Sequence, residues 1–373
     1  MMTKAARFMI AVVLLVVVTL ASPLSAFAQD ADQSWRQGFD PYQKQSWGDA
    51  ERLFRRALEQ GGEAFDRWGW LHMVLGIVLH NRNKNNEAVS ELQTAKELVA
   101  EDSERFQVNH ALAQVYLVRG NSGDYDRALA AENEASQYAS GREMQGLIDR
   151  TLGFAYYFKE DWRNAASKLQ TVTELRSSDP QVWSFLGRAL FERGQPDQAL
   201  EAFQKTLQLK SNDKQALVLS ARLQLDKRNY QQAIRFAETA IRDYPQDLQV
   251  RGMLGRAYLG GRRYSDAILQ FEQVVQTEGT SKGPAFYNLG QAYQAEENHA
   301  KAIENYTAAL EHLSEGSGSR AECLYDLGFV YEAAGVYDDA LQAFEASAAL
   351  AGSEKLTEAI DRVKERIRRA KEQ

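Results

Sequence analysis

Residues 183–203 read WSFLGRALFERGQPDQALEAF, and residues 253–271 read MLGRAYLGGRRYSDAILQF. Both stretches contain a Leu-Gly pair, then an alanine at the same distance from the glycine, then a phenylalanine one helical turn after the alanine. A chain that repeats one pattern at a fixed period builds its fold from repeated supersecondary units. The structure of one such unit is therefore the first question that this sequence raises.

The apolar and small residues of the first stretch fall on two helical stripes. They are Trp183, Leu186, Gly187 and Leu190, followed by Ala199, Phe203 and Thr206. Within each stripe the spacing is three or four residues, which is the period of one face of an α-helix. Gly194 is suited to end the first helix and Pro196 to begin the second. The pattern predicts two antiparallel helices joined by a short turn.

The same pattern continues along most of the chain. Alanines recur at nearly regular intervals, at Ala50, Ala88, Ala128, Ala165, Ala199, Ala233, Ala267, Ala302 and Ala340. Leu-Gly pairs precede six of them, at Leu75-Gly76, Leu152-Gly153, Leu186-Gly187, Leu254-Gly255, Leu289-Gly290 and Leu327-Gly328. A large side chain follows the alanine by one helical turn at Phe54, Leu92, Leu169, Phe203, Phe271, Tyr306 and Phe344.

The recurring glycine predicts a close approach between helices. A glycine inside a helix costs about 1 kcal/mol relative to alanine, so a side chain at this position must be more costly still. We expect the large side chains, such as Phe203, to fill the gap between successive hairpins.

This frame resembles the tetratricopeptide repeat (TPR). Tyr244-Pro245 fits the family's proline near the end of a unit, and the resemblance covers about residues 35–350. It implies an all-α fold, a right-handed α-solenoid of stacked helix-turn-helix hairpins. It also implies that the first helices line a concave surface, where the family's ligands usually bind.

Three units depart from the frame. Pro41 lies where the first helix of the first unit should run, and it predicts a shortened helix. The third unit has Glu132 at the position of the large side chain. The sixth has Ser220 and Gln224 where apolar residues are usual.

The chain divides into three predicted segments. Residues 1–28 have the layout of a secretory signal peptide, with Lys4 and Arg7, an apolar run of about 14 residues and small residues ending at Ala28. Residues 29–352 form the TPR solenoid of about nine repeats, the first of them degenerate. Residues 353–373 form a C-terminal capping helix and tail, with an apolar seam of Leu356, Ile360, Val363 and Ile367. The alternatives are an uncleaved anchor at the N-terminus and a membrane-surface helix at the C-terminus.

Charge and cysteine content indicate where such a protein works. The formal net charge is −7, and it becomes −9 without Lys4 and Arg7. A negative balance disfavours nucleic acid and anionic lipid as general partners. No cysteine lies near the predicted cleavage site to carry a lipid, and Cys323 has no second cysteine to pair with. We expect an exported, periplasmic protein that associates with membranes only indirectly.

The sequence predicts no catalytic, metal or cofactor site. Residues 279–283 fit G-x-S-x-G and residues 211–214 fit S-x-x-K, but both join helices, whereas a nucleophile elbow follows a strand. The histidines do not form the i, i+4 pair of a helical zinc site; they are His72, His80, His110, His299 and His312. The protein is therefore expected to be non-enzymatic.

Residues two positions after the leucine of the Leu-Gly pair, or after the residue that replaces this leucine, should face the concave groove. Arg188, Arg222 and Arg256 occupy this position in three consecutive units. Arginine binds both oxygens of a carboxylate, so this ladder favours an acidic partner. The alternative is that Arg188 and Arg222 pair with Glu192 and Asp226 on their own helices.

The predicted partner-binding surface adds apolar and polar side chains of other first helices to this ladder. Its members are Trp70, Met73, Ile77, His110, Gln114, Arg150, Phe154, Tyr157, Arg188, Arg222, Arg256, Tyr287, Gln291, Tyr325 and Phe329. They predict a protein or peptide segment with acidic and aromatic or aliphatic residues.

Two functions remain open from the sequence. The first is a non-enzymatic protein–protein interaction scaffold in the bacterial cell envelope. The alternative is a carrier of a small hydrophobic ligand or lipid in a pocket between hairpins, suggested by the aromatic residues Phe154, Tyr156, Tyr157, Phe158 and Trp162.

Overall fold

A computed structural model describes residues 26–61, 68–175, 177–277, 282–352 and 354–372. In these ranges the chain forms 19 α-helices and no strand. The first ten are α1 (Ala26–Gln43), α2 (Trp47–Gly61), α3 (Trp68–Asn81), α4 (Asn85–Leu98), α5 (Asp102–Arg119), α6 (Asp124–Ser136), α7 (Arg142–Phe158), α8 (Trp162–Glu174), α9 (Pro180–Glu192) and α10 (Pro196–Leu209). The others are α11 (Lys214–Asp226), α12 (Tyr230–Asp243), α13 (Leu248–Gly260), α14 (Tyr264–Val275), α15 (Gly283–Ala295), α16 (His299–His312), α17 (Gly318–Ala333), α18 (Tyr337–Leu350) and α19 (Glu354–Lys371). The predicted all-α fold of helical hairpins is confirmed.

Short turns join the two helices of each hairpin. Three residues separate them everywhere except between α5 and α6, where four residues do. Each turn contains a residue with a left-handed backbone, and it is a glycine only in the third, fifth and ninth hairpins. The backbone N–H of Gln195 donates to the carbonyl oxygen of Leu190 at 2.9 Å, and the same five-residue step recurs in other turns. This bond closes the end of the first helix, so the turn geometry does not depend on glycine.

Aspartates begin three successive first helices. The carboxylates of Asp179, Asp213 and Asp247 accept hydrogen bonds from backbone N–H groups in the first turns of α9, α11 and α13. An aspartate in this position satisfies donors that have no partner inside the helix. The period of the repeat therefore fixes where the helices begin as well as what they bury.

The recurring glycine contacts the large side chain of its own hairpin. A Cβ atom added at Gly255 would lie 2.6 Å from Cε1 of Phe271, and one added at Gly290 would lie 2.5 Å from Cδ1 of Tyr306. Gly76, Gly153 and Gly328 face Leu92, Leu169 and Phe344 in the same way. The predicted close approach between helices is confirmed at these glycines, and it lies between the two helices of one hairpin. The two contacting residues have the same separation along the chain in every case.

The first hairpin is more regular than the sequence indicates. Helix α1 continues through Pro41 to Gln43, so the prediction of a shortened helix is wrong. Pro41 lacks the N–H that would donate to the carbonyl oxygen four residues earlier, and the helix ends two residues after it. Gly38 lies against the ring of Phe54 on α2 and completes the glycine pattern.

The described residues fall into two compact units that divide between Ala202 and Phe203. Within each unit, helices pack against their neighbours along the chain. In the second unit, α19 packs against α18 through Leu356 and Val363, which contact the cluster around Phe344. The right-handed turn of a whole solenoid and the limits of the predicted segments stay predictions.

Candidate partner-binding site

Several predicted groove residues of the first unit belong to the core. Met73 is 1% exposed, Phe154 is 0% exposed, and Ile77 is also buried. The ring of Phe154 meets Phe185 of α9 edge-on, with 5.0 Å between centroids. The prediction that these residues face a partner is wrong, because their apolar side chains pack inside the unit.

His110 is a further correction, since it is buried in a polar pair. Its Nδ1 atom lies 2.8 Å from Oε1 of Glu132, its ring stacks on Phe106, and its Nε2 atom lies 2.9 Å from Nε2 of Gln114. Glu132 has no exposed surface, and burial raises the pKa of its carboxyl group although His110 acts against this. The pair explains the acid at the position of the large side chain. Gln114 is half-buried beside it.

Two predicted groove arginines are engaged within the first unit. Nη2 of Arg150 lies 2.6 Å from Oδ2 of Asp179, and its guanidinium lies 5.0 Å from the centroid of the Phe154 ring. Nη2 of Arg188 lies 2.6 Å from Oε1 of Glu192, which confirms the alternative interpretation for this arginine. Arg150 therefore links α7 to the start of α9.

The aromatic residues of the first unit pack on one another. Tyr157 stacks on Phe185 at 4.2 Å between centroids, and Trp162 meets Tyr157 edge-on at 5.5 Å. Trp70 packs in a similar cluster with Trp35, with 5.3 Å between the centroids of their rings. Because the rings occupy one another's faces, the cluster no longer favours a carrier pocket.

The second unit contains an open groove of about 500 Å³ beside α11, α13 and α15. Its lining residues are Leu225, Asp226, Tyr230, Arg256, Leu259, Gly260, Pro284, Tyr287, Asn288 and Gln291. We call it the α13 groove. Its volume is in the range of ligand-binding clefts, and its walls combine apolar side chains with a few polar groups. Three residues of the predicted partner-binding surface, Arg256, Tyr287 and Gln291, line this groove together.

Arg256 supplies a cation to this groove. It is exposed, and among the described residues no acidic side chain forms an ion pair with it. Gly260 follows it by one helical turn, at the position where Arg188 finds Glu192. Arg222 occupies the equivalent position of α11 and is also exposed.

Tyr287 and Gln291 are held by a carboxylate on α17. The Tyr287 hydroxyl donates to Oδ2 of Asp326 at 2.8 Å. Nε2 of Gln291 donates to the Tyr287 hydroxyl at 2.9 Å and lies 3.4 Å from Oδ2 of Asp326. Burial raises the pKa of Asp326, although these two hydrogen bonds favour its ionised form. Burial and the adjacent Asp326 also raise the pKa of Tyr287.

Tyr325 and Phe329 are partly covered by the C-terminal helix. The centroids of the Phe329 and Phe344 rings lie 5.1 Å apart. The guanidinium of Arg362 lies 5.7 Å from the centroid of the Phe329 ring. Both side chains pack against the cluster that Leu356 and Val363 complete. This end of the predicted surface is therefore less accessible than expected.

Sequence reasoning missed several residues of the α13 groove. Leu225 and Leu259 occupy the same position in consecutive units, so the repeat itself could have placed them on one face. Asp326 gave no such signal, because its importance depends on how closely α15 approaches α17.

The described residues show no metal-binding cluster. No three His, Cys, Asp or Glu side chains in the described ranges lie close enough together to hold an ion. Cys323 is buried, its Sγ atom lies 3.4 Å from the carbonyl oxygen of Tyr306, and burial raises its pKa to about 12. Residues 279–281 of the G-x-S-x-G match lie outside the described residues.

Models of known protein families match three stretches of the chain. Models described as tetratricopeptide repeat match residues 150–214, 218–282 and 283–353, which is more than half of the chain. The chain belongs to the tetratricopeptide repeat family. No curated protein sequence matches this TPR chain.

Solved TPR structures resemble the chain at low identity. The C-terminal part of a TPR repeat-containing protein from Cytophaga hutchinsonii is 17% identical with a TM-score of 0.51, covering 68% of this chain and 99% of that one. YrrB, a TPR protein with an unusual peptide-binding site, is 20% identical with a TM-score of 0.44, covering 54% and 100%. MamA from Desulfovibrio magneticus RS-1, from residue 41 to its end, is 22% identical with a TM-score of 0.42, covering 46% and 96%. At such identities the likeness concerns the fold alone.

Among the helices described for this TPR chain, none is long and apolar enough to cross a bilayer. Residues 1–25 of the predicted signal peptide lie outside the described residues, and that prediction stays a prediction.

Proposed function

We propose that this TPR chain is a non-enzymatic adaptor that binds a segment of another protein in the α13 groove. The observation that carries the proposal is an open groove in which exposed Arg256 stands beside the apolar side chains of Leu225 and Leu259. A guanidinium binds a carboxylate through two parallel hydrogen bonds, and apolar walls add affinity without direction. Membership of the TPR family supports a role in protein binding.

The groove suits an extended or helical segment of a partner. An acidic residue would pair with Arg256, and an aliphatic or aromatic residue would pack against Leu225 and Leu259. Arg188 and Arg150 contribute to the scaffold rather than to binding, because each already pairs with an acid of its own unit.

Photo-cross-linking in the host tests this function. A photoreactive amino acid at Asn288 should capture one partner, and Arg256→Glu should reduce that capture about tenfold by replacing attraction with repulsion. Arg235→Glu on α12 is the matched control, since Arg235 is exposed and lies outside the groove. Equal capture by the parent chain and both variants would contradict the proposal.

We further propose that the protein is exported to the periplasm and acts in the cell envelope. The basic start, apolar run and small residues before Gln29 support this location. Mass spectrometry of the protein purified from its host is expected to find Gln29 as the N-terminal residue. An intact Met1 would contradict cleavage, and recovery in the cytoplasmic fraction would contradict export.

A further inference from the structure

Two lining residues of the α13 groove, Tyr287 and Gln291, are hydrogen-bonded to Asp326, a carboxylate outside the lining that is opposite in sign to Arg256. Resting on the proposed function, we infer that Tyr287, Gln291 and Asp326 form a subsite for a basic side chain. The bound segment then carries a lysine or arginine as well as the acidic residue that meets Arg256. The groove selects a segment with both charges, where the sequence alone indicates an acidic one.

The directions of the hydrogen bonds show what this cluster offers to a ligand. A phenol has one proton, and Tyr287 gives it to Oδ2 of Asp326 at 2.8 Å. Its oxygen already accepts a hydrogen bond from Nε2 of Gln291, so it offers a ligand at most one further lone pair and no donor. Gln291 directs its amide nitrogen at the Tyr287 hydroxyl and toward Asp326, which leaves its carbonyl oxygen as an acceptor. Both lining residues thus present acceptors, and a protonated amine or a guanidinium supplies only donors.

The charge of Asp326 is not neutralised within the described part of the chain. Buried carboxylates elsewhere have basic partners: Asp124 lies 2.7 Å from Nη2 of Arg119, and Glu332 lies 2.8 Å from Nη2 of Arg362. No basic side chain of the described residues forms an ion pair with Asp326. Glu322, one turn earlier on α17, adds a second negative charge. Since charges withdrawn from water are usually paired in proteins, the partner is the natural source of the missing cation.

The geometry places that cation close to the carboxylate. The phenol oxygen of Tyr287 lies 2.8 Å from Oδ2 of Asp326. A basic nitrogen that donates to this phenol oxygen would therefore also be close to the carboxylate. Attraction at this range is strong where walls exclude water, and the tyrosine ring adds a face to which cations are drawn.

A selection from a random library of short displayed peptides tests the inference on the full chain. Peptides enriched on the parent protein are sequenced, and the best is synthesised with its basic residue intact or replaced by norleucine. Affinities for the parent, Asp326→Asn and Arg256→Gln proteins are then measured by fluorescence anisotropy. The asparagine keeps an acceptor for Tyr287, so thermal unfolding should show that Asp326→Asn remains folded.

The expected result is enrichment of lysine or arginine at one position. Asp326→Asn should weaken the basic peptide about tenfold and the norleucine peptide less than twofold, while Arg256→Gln should weaken both peptides equally. Selected peptides without a basic position, or equal weakening of both peptides by Asp326→Asn, would overturn the inference and leave the adaptor proposal intact. If no peptide is enriched, or if none depends on Arg256 or Asp326, the groove is not the binding site and both proposals fall.

Discussion

At the scale of single residues, each recurring glycine determines how closely the two helices of a hairpin approach. Phe271 is 1% exposed and lies on Gly255, with no space for a side chain between them. Phe271→Ala is therefore expected to lower the free energy of unfolding by about 3–5 kcal/mol, measured by urea denaturation. Leu269→Ala on the same helix, at a side chain that is 51% exposed, should change it by less than about 0.5 kcal/mol. Similar losses for the two variants would contradict the packing.

Glu51 joins the first two hairpins by charge. Nε of Arg55 and Nζ of Lys84 lie 3.0 and 2.8 Å from its Oε1 atom, and Arg82 contacts Oε2. Burial alone would raise the pKa of Glu51, but the hydrogen bonds from Lys84, Arg55 and Arg82 outweigh it and lower the pKa to about 2. The stabilisation is then complete above the ordinary value of 4.5 and is lost as pH falls from there to about 2.

Glu51→Gln is expected to lower the free energy of unfolding by about 1–3 kcal/mol at pH 7 and to flatten its decline below pH 4.5. Chemical denaturation at a series of pH values measures both effects. Glu365→Gln is the matched control, because Arg368 and Arg369 also lower the pKa of Glu365 to about 2, yet its side chain is far more exposed than that of Glu51. It should change stability little, as exposed ion pairs do. Equal pH profiles for the parent and Glu51→Gln would count against the buried network.

Glu132 marks the limit of residue-scale prediction. The repeat shows where a large side chain belongs, but it does not show that an acid there would meet His110. Each of these two residues is stable in the core only because the other pairs with it. They lie on different helices, and the spacing of residues along the sequence does not reveal such a pair.

At the scale of elements, two tyrosines of the second unit each connect a hairpin to the one before it. The hydroxyl of Tyr258 on α13 lies 2.8 Å from Oε1 of Glu238 on α12, and that of Tyr293 on α15 lies 3.0 Å from Oε1 of Glu272 on α14. Burial first, and then these bonds, raise the pKa of each tyrosine to about 12. The stabilisation is therefore present below pH 10 and is lost as pH rises from 10 to about 12.

The double variant Tyr258→Phe, Tyr293→Phe is expected to lose about 1 kcal/mol per hydroxyl at neutral pH. Its stability should also decline less steeply between pH 10 and 12, as followed by circular dichroism in urea. Tyr264→Phe, which removes a hydroxyl from the start of α14, is the control. An unchanged alkaline slope in the double variant would show that these bonds do not hold the hairpins together.

Helix boundaries were predictable where a residue type that begins or ends helices lies at the expected position of the repeat. Pro196 begins α10, as the sequence predicts. The groove positions were less predictable, because exposure there depends on the side chain as well as on the position. Phe154 turns into the space beside α9, whereas Arg256, at the same point of its own hairpin, extends into water.

At the scale of the whole molecule, α19 closes the apolar end of the second unit. Leu356 and Val363 are buried against α18, while Arg362 and Arg366 pair with Glu332. A chain that ends at Gly352 is therefore expected to expose the Phe344 cluster and to aggregate, as light scattering and dye binding would show. Removal of only the last two residues is the control. A monodisperse truncated chain of unchanged melting temperature would contradict this role for α19.

The family and the helical hairpins followed from periodic spacing, since a period reports contacts that every unit makes. The α13 groove did not follow in the same way, because it depends on contacts that single units make differently. Arg188 and Arg256 look alike in sequence, but a carboxylate one helical turn later engages the first and a glycine leaves the second exposed.

The short and constant separation along the chain between each glycine and its large side chain also bears on how the molecule folds. Loops of this length close quickly and at little entropic cost, so each hairpin can nucleate without waiting for distant parts of the chain. Folding is then expected to begin in any of several places and to spread to adjacent hairpins. The third hairpin should join late, because Glu132 and His110 must give up their hydration shells before they can meet.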